Sequence, residues 1–236
     1  MPTPVTSVVI PVRDERDNLR PLLDELIPEL DRLGEPFEVV LVDDGSSDGS
    51  SQLLDRLAAG DGRVRVLHLE RNFGKSAALD AGFRAAVGDV IVTLDADLQQ
   101  NPEDIPVLVG LLGQADAVVG VRVRRQDSGW RRLSSRLANG VRNWLTREDV
   151  ADAACPLAVM RREAIRRVRM WNGAHRFIPT LLRLEGFRVV QSPVDHRKRR
   201  SGRSKYGTWD RAFRGLCDTL GVRWMKKRRL DWRVRP

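Results

Sequence analysis

Along its first half the chain alternates between short β-branched runs and amphipathic stretches. Residues 6–12, 37–43, 64–69, 89–94 and 117–120 are compact runs rich in Val, Ile and Leu, and they predict buried strands. Between them Leu19, Leu22, Leu23, Leu26, Ile27 and Leu30 keep a helical period, as do Leu53, Leu54 and Leu57, and then Ala77, Ala78, Ala81 and Ala85. Strand and helix in alternation predict an α/β fold: βαβ units around a mainly parallel central sheet, with right-handed crossovers and flanking helices. From about Gly120 the pattern loosens into Arg-rich helical segments over 131–145 and 161–168, a strand over 188–194, and a basic loop from His196 to Gly207. No linker or internal repeat divides the chain, so a single domain is expected.

Ligands of parallel sheets bind beyond the carboxyl ends of the strands, and those ends are polar here. The first strand runs into Arg13-Asp14-Glu15, and the second ends Asp43-Asp44-Gly45-Ser46-Ser47-Asp48. The third passes to Arg71-Asn72-Phe73-Gly74-Lys75, and the fourth ends Asp95-Ala96-Asp97-Leu98-Gln99. Carboxylates, an amide and a Lys thus converge on one rim. Asp95 and Asp97, two residues apart after a strand, suit a hard cation and a diphosphate together, because Mg²⁺ and Mn²⁺ favour oxygen ligands and usually keep substrate phosphates among them. Ordinary turn chemistry also places Asp at strand exits. Asp43 and Asp44 are adjacent and repel one another, so their site must compensate; one of them suits a hydrogen bond to a base or ribose. Ser46, Ser47 and Asp48 suit capping of the next helix.

Length and composition narrow the class. With 236 residues, 42% hydrophobic and 31% charged, the chain can bury a substantial core and resembles neither a disordered polymer nor an integral membrane protein. No apolar run approaches the ~20 residues of a spanning helix, and a strand beginning at residue 6 leaves no room before it for a secretory signal. Cys155 and Cys217 are isolated thiols, which fits a reducing compartment and argues against a disulfide scaffold. A dinucleotide fold would need G-x-G-x-x-G and a P-loop G-x-x-x-x-G-K-[ST]; neither is present. The three His residues show no zinc spacing.

Charge sharpens the picture. Residues 1–118 hold 10 Lys and Arg against 22 Asp and Glu, a balance of −12, whereas residues 119–236 hold 31 against 10, a balance of +21. Of the 41 cations 36 are Arg, whose planar fork matches phosphate oxygens. A basic half suggests a phosphate-rich partner: nucleic acid, anionic headgroup or phosphorylated substrate.

The ordered set of motifs resembles family 2 glycosyltransferases, in particular the polyprenyl-phosphate sugar transferases typified by dolichol-phosphate mannose synthase. The matching residues are Ile10-Pro11-Val12 with Glu15, Val42-Asp43-Asp44-Gly45-Ser46 with Asp48, and Arg71-Asn72-Phe73-Gly74-Lys75. They continue through Ala81-Gly82, Gly88-Asp89, Asp95-Ala96-Asp97-Leu98-Gln99 with Pro102, Gly120 and Arg122, Ser135-Arg136 with Asn139, Asp152, His175-Arg176-Phe177 with Pro179, and Gly202 with Ser204-Lys205-Tyr206. The resemblance implies a GT-A domain over 1–207, with a nucleotide-sugar half (1–118), an acceptor half (119–207), and a basic amphipathic segment over 208–236. It implies that Asp97 and Gln99 ligate Mg²⁺ or Mn²⁺, with Asp95 close to the donor's ribose and diphosphate. Pro11, Val12, Glu15, Val42, Asp43, Asp44, Lys75 and Ala96 would belong to the donor site. Arg122, Arg136 and Arg199 would hold the acceptor phosphate, with Ser204 and Lys205 beside them in a closing loop. Two departures stand out: Arg13-Asp14 replaces the usual Tyr-Asn, and Cys155-Pro156-Leu157-Ala158 replaces a small polar stretch ending in a cation.

The implied activity is inverting, metal-dependent transfer of mannose or glucose from a GDP- or UDP-hexose to a dolichol-type or undecaprenyl phosphate. Asp95, Asp97, Arg122, Arg136 and Arg199 would act at the reacting centre. A lipid phosphate is largely dianionic at neutral pH and serves as its own nucleophile, so it needs cations to position it rather than a base. Trp209, Phe213, Leu216, Leu220 and Trp224 fall at helical spacing among Arg211, Arg214, Arg223 and the run Lys226-Lys227-Arg228-Arg229. That pattern describes either an interfacial helix on a membrane or a helix packed on the domain. The expected location is peripheral on the cytoplasmic membrane face, with a membrane-anchored partner or self-association as other means of anchoring. Three further readings stand beside it. Transfer to a sugar hydroxyl would use Asp152 as base, and a nucleotidyltransferase would need a Gly-rich N-terminal phosphate loop. A nucleic-acid-binding protein would need stacking aromatics, yet these are only 6% with a single Tyr, so no nucleic-acid partner is expected.

Overall fold

Alternation along the first two strands sorts their side chains between two cores. Val8, Ile10 and Val12 join one apolar cluster while Val9 joins the other; Val39 and Leu41 likewise oppose Val40 and Val42. A strand buried on both faces lies inside a sheet covered by helices on both sides. The computed structural model describes residues 5–123, 140–152, 155–197 and 208–230, with the backbone alone for 208–213.

In chain order the elements are β1 (Thr6–Val12), α1 (Arg16–Asp31), β2 (Phe37–Asp43), α2 (Ser50–Gly60), β3 (Val64–His68), α3 (Lys75–Ala85), β4 (Val90–Thr93), α4 (Asp104–Gly110) and β5 (Ala117–Arg122). They continue as α5 (140–146), β6 (Ala158–Arg161), α6 (Arg162–Arg167), α7 (Ile178–Leu184), β7 (Val189–Val194) and α8 (Thr208–Arg228). The seven-stranded sheet has the order β3-β2-β1-β4-β6-β5-β7. All its neighbours are parallel except β6, which runs antiparallel to both β4 and β5. Helices α1, α2 and α4 pack on one face through Leu22, Leu26, Leu54 and Leu108. Helices α3, α6 and α7 cover the other through Leu79, Phe83, Ile165 and Leu182. Close packing there is set by Gly82 of α3, where an added Cβ would lie 2.3 Å from Val9 Cγ1.

The α/β, mainly parallel architecture expected from the sequence is what folds. Three elements were not expected. Strand β6 has four residues and begins at Ala158, the last residue of the departure that starts at Cys155; its apolar run is too short to signal a strand unless β4 and β5 flank it. Helices α4 and α7, each of seven residues, are likewise too short for a periodic signal. Of the helix expected over 131–145, only 140 onward lies among the described residues, and it continues to 146. Among the described residues no helix is long and apolar enough to cross a membrane.

Candidate active site

At the carboxyl end of β2, two adjacent buried carboxylates turn to different partners. Asp43 Oδ1 accepts the Ser46 backbone N–H at 3.0 Å, and its Oδ2 accepts the Ser51 hydroxyl at 2.5 Å. His68 Nδ1 lies 3.1 Å from the same Oδ2, while its Nε2 meets Asp55 at 2.9 Å. Burial pushes the Asp43 carboxyl up, but hydrogen bonds from Ser46, Ser51 and His68 outweigh that and hold it below the usual carboxylate value. Asp44 accepts the backbone N–H groups of Phe73 at 2.7 Å and Gly74 at 3.0 Å. There burial prevails and the carboxyl is raised despite those amides. The repulsion anticipated between the pair is therefore met by separate donor sets. Gly45, at φ +67°, permits the close approach, since a Cβ there would sit 2.6 Å from the Arg71 carbonyl carbon.

The loop after β1 is laced to this corner. Asp14, in the left-handed region at φ 47°, donates its N–H to Ser46 Oγ at 3.0 Å and accepts the Ser47 N–H at 2.7 Å. Asp48 accepts the N–H groups of Arg16 at 3.1 Å and Ser50 at 2.9 Å, which satisfies the starts of α1 and α2 together. Ser50 Oγ in turn accepts the Glu15 N–H at 3.1 Å. Of the three residues expected to cap the next helix, Asp48 reaches a helix-start N–H, on both α1 and α2, whereas Ser46 and Ser47 bond to Asp14 instead.

Beyond β4 the chain makes the acidic turn. Asp95 Oδ1 takes the Lys75 ammonium at 2.5 Å, joining the β4 exit to the start of α3. Asp97 is 8% exposed, and its Oδ1 accepts the Gln99 N–H at 3.2 Å. Between them Leu98 is held at φ 59°, an uncommon conformation for a non-glycine residue that costs about 1–3 kcal/mol; its buried side chain packs in the core and offsets that strain. The acidic turn is tied to the first two residues of the basic loop. Gln99 O accepts the Arg197 N–H at 2.8 Å, Gln100 bridges His196, and Arg197 Nη2 reaches Asn101 Oδ1 at 2.6 Å. Arg197 Nη1 also pairs with Glu25 at 2.5 Å.

On the β5 side Arg122 is clamped by Asp152. Its Nε and Nη2 donate to the two carboxylate oxygens at 2.6 and 2.8 Å, a bidentate pair in which both side chains are largely buried. Cys155 lies next to them. Burial first, then the negative charge of Asp152, push its thiol up to about 12 against the pull of Arg122, so this sulfur is an inert wall rather than a nucleophile. It packs where a Cβ on Gly120 would come within 2.9 Å of Sγ.

The model of the family described as glycosyl transferase family 2 matches residues 7–169. The chain belongs to that family. Relatives named undecaprenyl-phosphate 4-deoxy-4-formamido-L-arabinose transferase are similar to this chain. The one from Edwardsiella ictaluri is 44% identical over 85% of this chain and 62% of its own length. The one from Pectobacterium carotovorum subsp. carotovorum is 41% identical over 85% and 62%. The chain spans just over three fifths of those relatives. Among solved structures, glucosyl-3-phosphoglycerate synthase from Mycobacterium tuberculosis, in complex with Mn²⁺ and UDP-glucose, shares the fold at TM-score 0.70 and 21% identity, covering 93% of this chain and 79% of its own. A mannosyltransferase from Pyrobaculum calidifontis, in complex with GDP-mannose and Mn²⁺, does so at TM-score 0.62 and 22% identity, over 95% and 70%. These structures are GT-A glycosyltransferases, so the fold expected from the resemblance is the one observed.

Within this family 2 member the residues named from sequence, beside Arg122, fall into three groups. Asp43, Asp44, Lys75, Asp95, Asp97 and Gln99 gather on the rim formed by β2, β4 and α3, with Pro11 and Glu15 at the end of β1. Val12, Val42 and Ala96 are buried, the first two wholly within the core, so they support the rim from behind. Arg136, Arg199, Ser204 and Lys205 lie outside the described residues. Sequence reasoning missed His68, Arg197, His196 and the partnership of Arg122 with Asp152; none of these has a local signal, because each depends on contacts 13 or more residues apart. The donor set at Asp97 and Gln99 is all oxygen, a carboxylate and an amide, which fits Mg²⁺ or Mn²⁺. Among the described residues no three His, Cys, Asp or Glu side chains cluster to hold a metal alone, so an ion here would complete its shell with a ligand's phosphate oxygens, as Mg²⁺ commonly does.

Proposed function

We propose that this chain transfers a sugar from a nucleotide-sugar to the phosphate of a polyprenyl phosphate, with inversion at the anomeric carbon. The observation that carries this reading is the Arg122–Asp152 clamp. Transfer to a sugar hydroxyl needs a base within about 2.6–3.2 Å of the acceptor, and Asp152 was the candidate; both its oxygens are taken by Arg122. A phosphate monoester needs no such base, since its second pKa lies near ~6. Its oxygen attacks the anomeric carbon, the bond from that carbon to the donor's diphosphate breaks, and the nucleoside diphosphate leaves with the electron pair. The names of the relatives, which specify undecaprenyl phosphate, support the same acceptor.

In this reading Asp97 and Gln99 hold Mg²⁺ or Mn²⁺, which supplies Lewis-acid stabilisation of the leaving diphosphate. Lys75, oriented by Asp95, adds positive charge beside that diphosphate. Pro11, Glu15 and the Asp43–Asp44 corner form the nucleoside side of the pocket. Arg122, with its charge offset by Asp152, orients the acceptor phosphate without quenching its nucleophilic oxygen; by the family resemblance Arg136, Arg199, Ser204 and Lys205 are assigned to the same phosphate. Residues 1–118 serve the donor and 119–207 the acceptor, at the cytoplasmic face of a membrane. The family resemblance favours mannose or glucose; the names of the relatives favour 4-deoxy-4-formamido-L-arabinose. A panel of GDP- and UDP-hexoses and nucleotide-linked 4-deoxy-4-formamido-L-arabinose, offered with a short polyprenyl phosphate, separates them. Transfer should require divalent metal and fall by about 10²–10³-fold in Asp97→Ala, the scale of removing one preorganised electrostatic group. Transfer that ignores both chelation and Asp97 would refute the site.

A further inference from the structure

His175, Arg176 and Phe177 lie in the turn between α6 and α7, which packs against the first turn of α3. Phe177 is buried in the core, its ring 5.8 Å from that of Trp171. Backbone bonds close the turn: the Ala174 N–H meets Trp171 O at 2.9 Å, the Arg176 N–H meets Gly173 O at 3.2 Å, and the Phe177 N–H meets Ala174 O at 2.7 Å. Gly173, at φ +105°, accommodates only glycine, since a Cβ there would lie 2.7 Å from Asp218 Oδ2 on α8. Arg176 reaches the same carboxylate oxygen at 3.6 Å. Groups other than the His175 imidazole therefore hold the turn, and His175 stays partly exposed.

His175 meets α3 through Ser76, a buried hydroxyl one residue after Lys75. Ser76 Oγ accepts the Gly173 N–H at 3.0 Å and the His175 N–H at 3.4 Å, and it lies 2.7 Å from His175 Nδ1. A hydroxyl has two lone pairs and one proton. With both lone pairs taken by amides, its proton goes to Nδ1. That nitrogen accepts, so the ring's own proton sits on Nε2 and the neutral imidazole is an N–H donor on its distal side. The same turn flanks the rim. Asn172 Oδ1 lies 3.9 Å from the place where Gly74 would carry a Cβ, and the Gly74 N–H is one of those bound by Asp44. Lys75, between Gly74 and Ser76, pairs with Asp95 at 2.5 Å.

We propose that His175 is a ligand-binding residue of this site, its Nε2–H donating to a phosphate oxygen of the donor's diphosphate beside Lys75. The inference rests on the reading that seats that diphosphate at Lys75 and Asp95. The leaving diphosphate gains negative charge as the anomeric bond breaks, and an N–H already oriented by Ser76 meets that charge without reorganisation. With Nδ1 occupied by the Ser76 hydroxyl and Nε2 protonated, the ring donates and does not act as a base, which suits an acceptor that is its own nucleophile.

Two amide side chains separate the roles of the two ring nitrogens. His175→Asn keeps an oxygen near Nδ1 for the Ser76 hydroxyl but loses the distal donor, whereas His175→Gln carries an amide N–H out toward the position of Nε2. Calorimetry of the full chain with UDP and with GDP, each with Mg²⁺, should show binding weakened about ten- to a hundredfold in His175→Asn, the scale of a hydrogen bond to a charged group, and largely recovered in His175→Gln. Thermal unfolding checks that both variants are folded. Nitrogen–proton NMR of the wild-type chain, with His175 assigned by the signals that His175→Asn removes, tests the tautomer without relying on either variant's affinity. The proton should sit on Nε2, and that nitrogen should shift when nucleotide and Mg²⁺ are added. A proton on Nδ1, a shift produced by a short polyprenyl phosphate and not by nucleotide, wild-type affinity in His175→Asn, or no recovery in His175→Gln would overturn the proposal. Wild-type affinity in His175→Asn together with binding lost in Asp97→Ala would remove the role of His175 and leave the donor site standing; a wild-type chain that binds neither nucleotide would remove both.

Discussion

Asp152 and Arg122 illustrate how one residue's role changes once its partner is known. In the sequence Asp152 is an isolated acid and Arg122 one of 36 arginines; in the fold they are a buried bidentate pair thirty residues apart. Removing one member of such a pair leaves a desolvated charge, so Asp152→Ala should cost about 3–5 kcal/mol of stability, read as a lowered Tm. Asp152→Asn keeps one acceptor for the guanidinium. It should fold and retain transfer, with its main effect a raised KM for the acceptor. Loss of kcat in folded Asp152→Asn would instead restore Asp152 as a base. At this scale the sequence named most of the rim, because Asp43, Asp44, Asp95 and Asp97 lie at or just beyond the end of a strand and Lys75 starts a helix. It did not show which of them bond to protein donors, because those partners come from other elements.

The connection of β2, β3 and α2 depends on His68, which bridges Asp43 at the rim to Asp55 on α2. The hydrogen bond to Asp55, helped by Asp43 and opposed by partial burial, raises its pKa above the usual 6.5. A raised folded-state value favours the protonated form in the native protein. Its contribution to stability is complete below that usual value and is lost as pH rises through the raised one. Wild type should therefore exceed His68→Gln in Tm most at about pH 5–6, with the gap closing toward about pH 8. A gap that is constant across that range would show that the charge of His68 does no such work. Among elements, the five strands and three helices of the first half were legible because apolar β-branched runs and helical periods alternate regularly there, so that even β4, four residues long, stands between two recognisable neighbours. Strand β6 was not: four residues acquire a strand's meaning only when β4 and β5 supply hydrogen bonds on both sides.

For the molecule as a whole, the split of charge between the halves was the clearest long-range signal in the sequence, and it has a structural counterpart. The acidic half supplies β1 to β4 and the carboxylate rim, while the basic half supplies Arg122, Arg197 and the cations around α8. Residues 196 and 197, stitched to Gln99 and Gln100, are one place where the two meet, beside the β4–β6 pairing. Composition could suggest a phosphate partner but not that its cations would begin beside the acidic turn, since that adjacency is made by sheet order. The central claim is that a lipid phosphate, and not a hydroxyl, displaces the nucleotide. The most direct measurement offers one donor with metal to a polyprenyl phosphate, to the matching dephosphorylated polyprenol and to a sugar acceptor, and determines the anomeric configuration of each product by NMR. The account expects product from the polyprenyl phosphate alone, with inverted configuration; transfer to either hydroxyl acceptor at a comparable rate, or a retained anomer, would contradict it.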